Sequence, residues 1–370
     1  MPKAISIRKI DGKPGQVYYP LDPISIPSSP PKENEVVVQI SAAALNHRDL
    51  FLRQHLYPGT TFGVPLLADG AGVVVSTGSS PTAQAWQGKR VILNPGSGWK
   101  DDPEGPEDPK GYAILGGTKM NPLGTLGESV TIDAGELEGA PAHLTPVEAA
   151  ALPLTGLTAW RATMVKSGNA KPGRNVLITG IGGGVAIMAL LFAVAAGANV
   201  YVTSGSGEKI ERAKSMGAKG GVSYREKGWD KNLKDMLPEG RKWLDAIIDG
   251  AGGDVVAMGA KLLRVSFLLD AVDLVVFTDF FLARRRHHSL RHDDFPHHAL
   301  FHGGGAEEHR SARVDDGFAQ GVRRHGQVRG GEEAQTDRVE VRERRVGESG
   351  RHRFAVRGHE GWQAVWEIGD

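Results

Sequence analysis

The feature that most restricts the fold of this chain is the stretch V-L-I-T-G-I-G-G-G-V, residues 176–185, in which an apolar strand passes directly into a cluster of glycines. A long apolar helix is predicted to follow through residues 186–196, and a second strand at residues 199–203. Glycine lacks a Cβ, so this turn can be tight, and backbone N–H groups at the helix start can approach a pyrophosphate. The order of elements therefore predicts a dinucleotide-binding unit, with an ordinary strand-to-helix turn as the alternative. The candidate binding residues of this turn are Gly180, Ile181, Gly182, Gly183, Gly184 and Val185.

The residues after the second strand indicate which nucleotide is bound. Sites that prefer NAD usually end this strand on Asp or Glu, which accepts hydrogen bonds from the ribose and repels a 2′-phosphate. This chain instead has Ser204 and Ser206, followed by Lys209, and their hydroxyl and ammonium donors suit a phosphate dianion. NADP is therefore the predicted cofactor. In the alternative, Ser204 caps a helix predicted at residues 208–216, and Lys209 is a solvated surface charge.

Further motifs make the chain resemble the medium-chain dehydrogenase/reductase superfamily, in particular its zinc-free quinone oxidoreductase and enoyl reductase branch among the zinc-type alcohol dehydrogenase-like proteins. The resemblance covers about residues 1–264, and the motifs occur in the family's order. Besides the glycine turn they are A-L-N-H-R-D-L (44–50), F-G-V-P-L-L-A-D-G-A-G-V-V (62–74), G-T-L-G-E-S-V (124–130), A-A-A-L-P-L-T-G-L-T-A-W (149–160) and V-T-S-G-S-G-E-K-I-E-R-A-K-S-M-G-A (202–218). The resemblance implies an oxidoreductase that transfers hydride from NADPH to a carbonyl, a quinone or an activated alkene.

The same resemblance implies an α/β protein with two domains. A GroES-like β-barrel catalytic domain is expected over residues 1–145, and a Rossmann domain, built on a doubly wound parallel sheet, over residues 146–264. The run Thr145-Pro146-Val147-Glu148 supports this boundary, because Thr as N-cap, Pro in the first turn and Glu three residues on are typical of a helix start. Strands are predicted at residues 4–10 and 35–40 of the barrel and at residues 245–249 of the Rossmann domain.

The residue types argue against a catalytic zinc. In the alcohol dehydrogenase branch a Cys ligand stands at the position of Asn46, and a His-Glu pair at the positions of Ala68 and Asp69. This chain contains no cysteine, so neither a thiolate catalytic site nor a four-Cys structural site can form. No metal site is predicted. Without a Lewis acid, polarisation of a carbonyl depends on hydrogen bonds or on the substrate's own activation, which favours quinones and conjugated enones as small-molecule substrates.

The remaining candidate site residues follow from the resemblance. Asn46, His47 and Asp49 match the family's pocket-entry motif and are the predicted catalytic residues. His47 is expected to contact a cofactor phosphate or to donate a proton, or else to be a packing histidine. Thr155 lies in the family motif that precedes the glycine turn and is assigned to the cofactor. Tyr224, at the end of the third Rossmann strand, is expected to approach the adenosine 2′-phosphate or to pack as a strand aromatic.

The composition changes abruptly in the last third of the chain. All 18 lysines lie at or before Lys261, whereas residues 283–370 contain 16 of the 26 arginines and 10 of the 13 histidines. This tail has scattered glycines and little apolar periodicity, so residues 265–370 are predicted to be largely disordered. A histidine metal cluster and a nucleic-acid-binding arm are possible interpretations. We reject both, because the genetic code explains the tail more simply.

Reverse translation gives that explanation. When the codons of residues 355–369 are read from their second base, they accommodate L-F-E-D-M-K-A-G-K-Q-F-G-K-L-V, which resembles the C-terminal end of superfamily members. The same shift over residues 318–339 accommodates R-K-E-F-A-D-M-V-K-F-V-A-E-K-K-L-K-P-I-V. Residues 265–282 can be encoded with G-T-R-A-G-T at the start and A-G at the end. Their eighteen codons with one further base give 55 nucleotides, so we expect a retained intron followed by out-of-frame translation.

Charge and hydropathy limit the remaining possibilities. A net charge of +1 gives no reason to expect nucleic acid as a partner, and no secretory or membrane-spanning segment is expected, so a cytoplasmic enzyme is predicted. A family-type homodimer is possible, but its sheet-edge strand is missing here. The fourth Rossmann strand is then expected to be an exposed edge, and the translated chain to be inactive. A non-catalytic nucleotide-binding protein is the alternative function.

Overall fold

The computed structural model describes residues 1–27, 29–102, 105–252, 258–259 and 261–264, together with the backbone of four later strands. The chain forms two compact units, of which the first contains Met1–Leu154 and the second begins at Thr155. This division lies nine residues after the predicted boundary at residue 145. A short helix, Pro146–Ala150, packs against strands of the first unit, and its residues are therefore part of that unit.

Antiparallel strands dominate the first unit. They are β1 (Lys3–Ile7), β2 (Leu21–Ser25), β3 (Glu35–Ala44), β4 (Asp69–Thr77), β5 (Arg90–Leu93), β6 (Gly96–Ser97), β7 (Ala113–Ile114), β8 (Ser129–Asp133) and β9 (Leu137–Gly139). Five of them form a sheet of order β8-β3-β4-β5-β9, and β1 pairs with β2 and β6 with β7. In β3 the alternate residues Val36, Val38 and Ile40 are buried, because successive side chains of a strand point to opposite faces. These side chains form the core of the first unit.

The helices of the first unit are short. They are α1 (His47–Arg53), α2 (Pro81–Gln84) and α3 (Pro146–Ala150), with a 3₁₀ turn at Ala134–Glu136. The predicted start of α3 is confirmed: the Glu148 N–H donates to Thr145 Oγ1 at 3.3 Å, and the Thr145 N–H donates to Glu148 Oε2 at 2.9 Å. A further helix, α4 (Pro153–Trp160), continues as a π-helical segment through Lys166 and crosses from the first unit into the second.

Parallel strands and helices alternate in the second unit. They are β10 (Asn175–Ile178), α5 (Gly184–Ala195), β11 (Asn199–Ser204), α6 (Gly207–Ser215), β12 (Gly220–Ser223), α7 (Trp229–Met236), β13 (Ala246–Asp249) and β14 (Leu274–Val276). Each strand pairs in parallel with its neighbours in the order β12-β11-β10-β13-β14. Val176 and Ile178 pack in one apolar cluster and Leu177 in another, so the sheet is buried on both faces, as in a doubly wound fold. The predicted α/β class is confirmed.

The expectation that β13 would be an exposed edge is wrong. Residues Ile247–Asp249 pair in parallel with Leu274–Val276 of β14. Backbone N–H and C=O groups at a sheet edge pair with any adjacent extended segment, whatever gene region encodes it. The segment 265–282 therefore contributes at least this strand to the sheet.

Three more strands are described in the tail: β15 (Glu340–Val346), β16 (Arg351–Gly358) and β17 (Gly361–Ile368). They form an antiparallel sheet in that order, although no strand pattern of this length was expected there. The rest of the prediction of disorder for 265–370 lies outside the described residues. None of the helices in the described part of the chain has both the length and the apolar character needed to cross a membrane.

The close contact of β4 with β3 gives a test of the fold. A Cβ added at Gly72 would lie 2.1 Å from the carbonyl oxygen of Gln39, so Gly72→Ala must push the two central strands apart. We expect it to lower the free energy of unfolding by more than about 2 kcal/mol in urea titrations followed by tryptophan fluorescence. Gly139→Ala is the control: in β9 an added Cβ would meet nothing within 4 Å, and the expected change is below about 1 kcal/mol. Equal effects of the two substitutions would contradict the strand packing.

Candidate functional site

The glycine turn lies where the strand order reverses, after β10 and beside β13. Gly180 has a φ of +62°, a left-handed conformation that favours glycine. Its N–H donates to Thr203 Oγ1 at 3.2 Å, and the Ile181 N–H donates to the Thr203 carbonyl oxygen at 2.9 Å. Gly183 is the extended N-cap residue of α5. The N-terminus of an apolar helix therefore points to the carboxyl edge of a parallel sheet, the position of nucleotide pyrophosphates in such folds.

Two of the predicted turn residues contribute only their backbone. Ile181 is 2% exposed and belongs to the apolar cluster around α5, against which Val185 also packs. Their side chains therefore anchor the turn, and only their peptide groups can face a ligand. Thr155, from α4, lies beside the start of α5, since a Cβ at Gly184 would be 2.8 Å from its Cγ2. The structure thus brings Thr155 together with the glycine turn, and its assignment to the cofactor stays a prediction.

A buried hydrogen-bond network at Asp249 supports the turn from the neighbouring strand, and sequence reasoning did not identify it. The Thr179 hydroxyl donates to Asp249 Oδ1, and Asp249 also accepts the N–H groups of Ala251 at 3.2 Å and Gly252 at 3.2 Å. The Gly250 N–H donates to Thr179 Oγ1 at 3.3 Å. The sequence signal for this network was Thr179-Gly180 directly after β10 and Asp249-Gly250 at the end of β13, the neighbouring strand of the sheet.

Lys209 reaches the glycine turn from the first turn of α6. A Cβ built at Gly182 would lie 2.9 Å from Lys209 Cδ and 3.0 Å from its Nζ. The ammonium group is therefore held over the glycines, although the residue is exposed. A ligand phosphate on the turn would meet a cation there, whereas without such a ligand Lys209 is a solvated surface charge.

The two serines at and after the end of β11 have different roles. Ser204 is 4% exposed, and its Oγ accepts the N–H of Ser206 at 3.1 Å. Ser206 is the N-cap of α6, and its Oγ accepts the Lys209 N–H at 3.5 Å. The alternative in which Ser204 caps this helix is therefore wrong. The cap lies two residues later, at Ser206, because Ser204 is still part of β11.

Tyr224 and Arg225 converge on that same turn from the end of β12. A Cβ at Gly205 would lie 2.7 Å from the Tyr224 hydroxyl and 2.8 Å from Arg225 Nε. Tyr224 is 43% exposed, which excludes the interpretation as a packed strand aromatic. Arg225 was not predicted; its only sequence signal was a basic residue next to Tyr224. Arg225 therefore lies beside the turn that follows β11, and Lys209 lies beside the glycine turn that follows β10.

The first unit holds a buried polar group at Asn46 and Asp69. Asn46 Nδ2 donates to Asp69 Oδ2 at 2.9 Å, and the backbone N–H of Leu154 donates to Asp69 Oδ1 at 2.9 Å. Asp69 is 1% exposed, and burial raises its pKa to about 7 despite these two donors. Because Nδ2 of Asn46 is fixed on the carboxylate, the side-chain orientation of this predicted catalytic residue is fixed as well.

The other two predicted catalytic residues differ in accessibility. Asp49 is 5% exposed; its Oδ2 accepts the Asn46 N–H at 2.8 Å, and its Oδ1 lies 3.1 Å from Arg48 Nη1. Burial raises the pKa of Asp49, an effect opposed by Arg48. Arg48 in turn donates to the Gly116 carbonyl at 2.7 Å. Asp49 therefore holds the start of α1, whereas His47, on the same helix, is exposed to solvent.

No group of three His, Cys, Asp or Glu side chains that could hold a metal ion is found among the described residues. At the positions of the family's ligands stand Asn46, whose amide is bonded to Asp69, and Ala68, which has no donor atom. A hard cation prefers several oxygen ligands and zinc prefers thiolate, imidazole or carboxylate. The donor set at this point of the barrel does not fit a catalytic zinc.

Two protein-family models match the chain. The alcohol dehydrogenase GroES-like domain matches residues 32–142, within the first unit, and the zinc-binding dehydrogenase domain matches residues 184–266, within the second. Each match thus coincides with one of the two structural units.

Individual proteins are similar over about the same part of the chain. A zinc-type alcohol dehydrogenase-like protein, YogA of Leptosphaeria maculans, is 50% identical over 270 residues, which cover 71% of this chain and 75% of that protein. A crystal structure of an NAD-dependent alcohol dehydrogenase has a TM-score of 0.61 and 34% identity, with 71% of this chain and 74% of that chain covered. The quinone oxidoreductase of Escherichia coli, solved with NADPH, has a TM-score of 0.54 and 26% identity, covering 71% and 70%.

The buried carboxyl of Asp69 predicts a specific pH dependence of stability. Its pKa in the folded protein, about 7, lies above the ordinary value of 3.8, so the folded state binds this proton more tightly than the unfolded state. Stability from this group is therefore greatest at low pH and is lost as the pH rises from about 4 to about 7. We expect the change in the free energy of unfolding caused by Asp69→Asn, measured in urea, to be more favourable to the folded state at pH 8 than at pH 5.

The matched control is Asp22→Asn, because Asp22 is exposed and lies 4.0 Å from Arg8 in a surface pair. We expect it to change stability by less than about 1 kcal/mol at both pH values. If Asp69→Asn shifted the free energy of unfolding equally at pH 5 and pH 8, a raised pKa of Asp69 would be refuted.

Proposed function

Because the chain belongs to the medium-chain dehydrogenase/reductase superfamily, we propose that its gene encodes a zinc-independent, NADPH-dependent reductase that transfers hydride to a quinone, an enone or another carbonyl substrate. The superfamily consists of oxidoreductases that bind a nicotinamide cofactor, and the two matched domains make this chain an oxidoreductase of that group. The observation that carries the choice of NADPH is the pair of cations along this edge of the sheet: Lys209 lies beside Gly182 of the glycine turn, and Arg225 lies beside Gly205 in the turn after β11.

Electrostatics at that turn favours a phosphate. A 2′-phosphate carries close to two negative charges, and hydrogen bonds from ammonium and guanidinium groups to such an anion are stronger than those between neutral groups. The strand β11 ends on Ser204, not on a carboxylate that would repel the anion. Tyr224, with its hydroxyl beside Gly205, adds a neutral donor. This set of donors supports NADPH over NADH, and the N-terminus of α5 supplies the site for the pyrophosphate.

Substrate activation is assigned to hydrogen bonds from the barrel. Asn46 is held by Asp69 through its Nδ2, so the rest of its amide is presented in one orientation. A conjugated enone or a quinone accepts hydride without a Lewis acid, because the negative charge is delocalised onto an oxygen that a hydrogen-bond donor can stabilise. The exposed His47 is the candidate proton donor. Quinone oxidoreductase 1 of E. coli and a crotonyl-CoA reductase of Streptomyces collinus are among the similar proteins.

The alternative is a nucleotide-binding protein without catalytic activity. It is favoured by one observation, that Asp49 is buried and both its carboxylate oxygens are engaged. Oxidation of NADPH that depends on an added quinone or enone separates the two functions. The family-type homodimer and the cytoplasmic location stay predictions.

The cofactor preference is tested by calorimetry on the protein translated from the spliced transcript. We expect NADPH to bind at least tenfold more tightly than NADH, a difference of about 1.4 kcal/mol. Lys209→Ala and Arg225→Ala should each remove most of this difference. Lys214→Ala is the matched control, since this lysine lies on the same helix and pairs with Glu211 at 2.7 Å. Equal affinities for the two nucleotides in the unsubstituted protein would refute the proposal.

Metal independence is tested on the same protein. Asn46 and Ala68 offer no thiolate or imidazole ligand. We therefore expect elemental analysis to find less than about a tenth of a zinc ion per chain. Activity should persist after incubation with a chelator. One tightly held zinc per chain, with activity lost to the chelator and restored by zinc, would show that the proposal is wrong.

A further inference from the structure

We infer that residues 265–370 are not the C-terminal part of the functional enzyme: the first 18 are translated from a retained intron of 55 nucleotides, and the remainder is read in the wrong frame. The authentic product then continues from Arg264 with a different sequence that completes the sheet of the second unit. This inference is independent of the proposed cofactor and substrate, because it concerns the coding sequence.

The first argument is the position at which similarity stops. The zinc-binding dehydrogenase domain matches up to residue 266, two residues after Arg264. The chain has no lysine after Lys261, although 18 occur up to and including that position, and it is enriched in arginine and histidine from residue 283. A domain boundary does not by itself remove lysine from the rest of a chain, whereas a change of reading frame changes the amino-acid composition at once.

The second argument is that the displaced frame restores a sequence that can fold. As translated, residues 318–339 contain four glycines, each of which costs a helix about 1 kcal/mol. Read from the second codon base, the same stretch accommodates R-K-E-F-A-D-M-V-K-F-V-A-E-K-K-L-K-P-I-V. Its apolar letters F, M, V and V stand at positions 4, 7, 8 and 11, the spacing of an amphipathic helix, and the proline ends that helix before an extended I-V pair. This reading also contains lysine, which the translated tail lacks.

The third argument concerns positions at which the code leaves no choice. Tryptophan has the single codon T-G-G. Trp362 followed by Gln, and Trp366 followed by Glu, therefore give glycine in the displaced frame whatever codons are used. Both glycines fall in the string L-F-E-D-M-K-A-G-K-Q-F-G-K-L-V, which resembles the C-terminal end of superfamily members.

The breakpoint has the signals of an intron. Val265-Ser266 can be encoded by G-T-R-A-G-T, a 5′ splice signal; Thr278-Asp279 by a sequence containing C-T-G-A-C; and Leu282-Ala283 by one containing A-G. Removal of 55 nucleotides joins Leu262-Leu263-Arg264 to a reading of Pro-Gly-Gly. In the translated chain the intron instead supplies β14, whose backbone pairs with β13.

The test is amplification of transcript and genomic DNA across codons 240–320, with a control lacking reverse transcriptase. We expect a transcript product 55 nucleotides shorter than the genomic product, with a translation that runs from Arg264 into Pro-Gly-Gly and ends on a Gly-Lys-Leu-Val-like segment. Transcripts that uniformly retain the 55 nucleotides would overturn the inference. NADPH binding, measured separately, tests the proposed function whichever result is obtained.

A second measurement uses the proteins themselves. Limited trypsin digestion of the 370-residue chain is expected to remove the region beyond about Arg264 at least tenfold faster than it cleaves residues 1–260, while the protein from the spliced transcript resists cleavage there, as expected when a core is completed. A protease-resistant tail in the 370-residue chain would contradict the inference. The histidine- and arginine-rich tail would then have to be treated as a folded part of the protein.

Discussion

The hydrogen bond from Thr179 to Asp249 joins the carboxyl ends of β10 and β13, the two strands between which the order of the sheet reverses. Both residues are fully buried, so neither polar group can exchange its partner for water without a large desolvation cost. Asp249 also accepts N–H groups of the turn that follows it. One carboxylate therefore fixes two turns at once, and the position of the nucleotide site depends on it.

The first unit uses the same physical device at a different place. Asp69 is buried at the start of β4 and holds both the amide of Asn46 and the backbone N–H of Leu154 at the start of α4. In an interior of low dielectric, a carboxylate surrounded by donors specifies their geometry more strictly than apolar packing does. The cost of this burial appears as the raised pKa of Asp69. Asp69 thus fixes the orientation of the Asn46 amide through hydrogen bonds.

The proposed phosphate-binding region is assembled from four separate segments. Lys209 comes from α6, Arg225 from the segment after β12, and the glycines they flank from the turns after β10 and β11. Parallel strands make this convergence possible, because their carboxyl ends, and every loop that leaves them, lie along one edge of the sheet. The proposed preference for a phosphate is therefore assigned to the whole edge of the sheet and not to any one motif.

Local patterns in the sequence determined the elements. The glycine turn and the capping box at Thr145 and Glu148 depend on backbone geometry that residues within a few positions decide. The absence of cysteine is a property of the composition, and it excludes thiolate ligands for zinc. The codon argument for the tail is also a property of the sequence alone. Tertiary structure decided which side chains meet. Three contacts join residues that are distant along the chain: Arg225 with Gly205, Asn46 with Asp69, and β14 with β13. No local periodicity encodes such contacts, because strand order and burial set them.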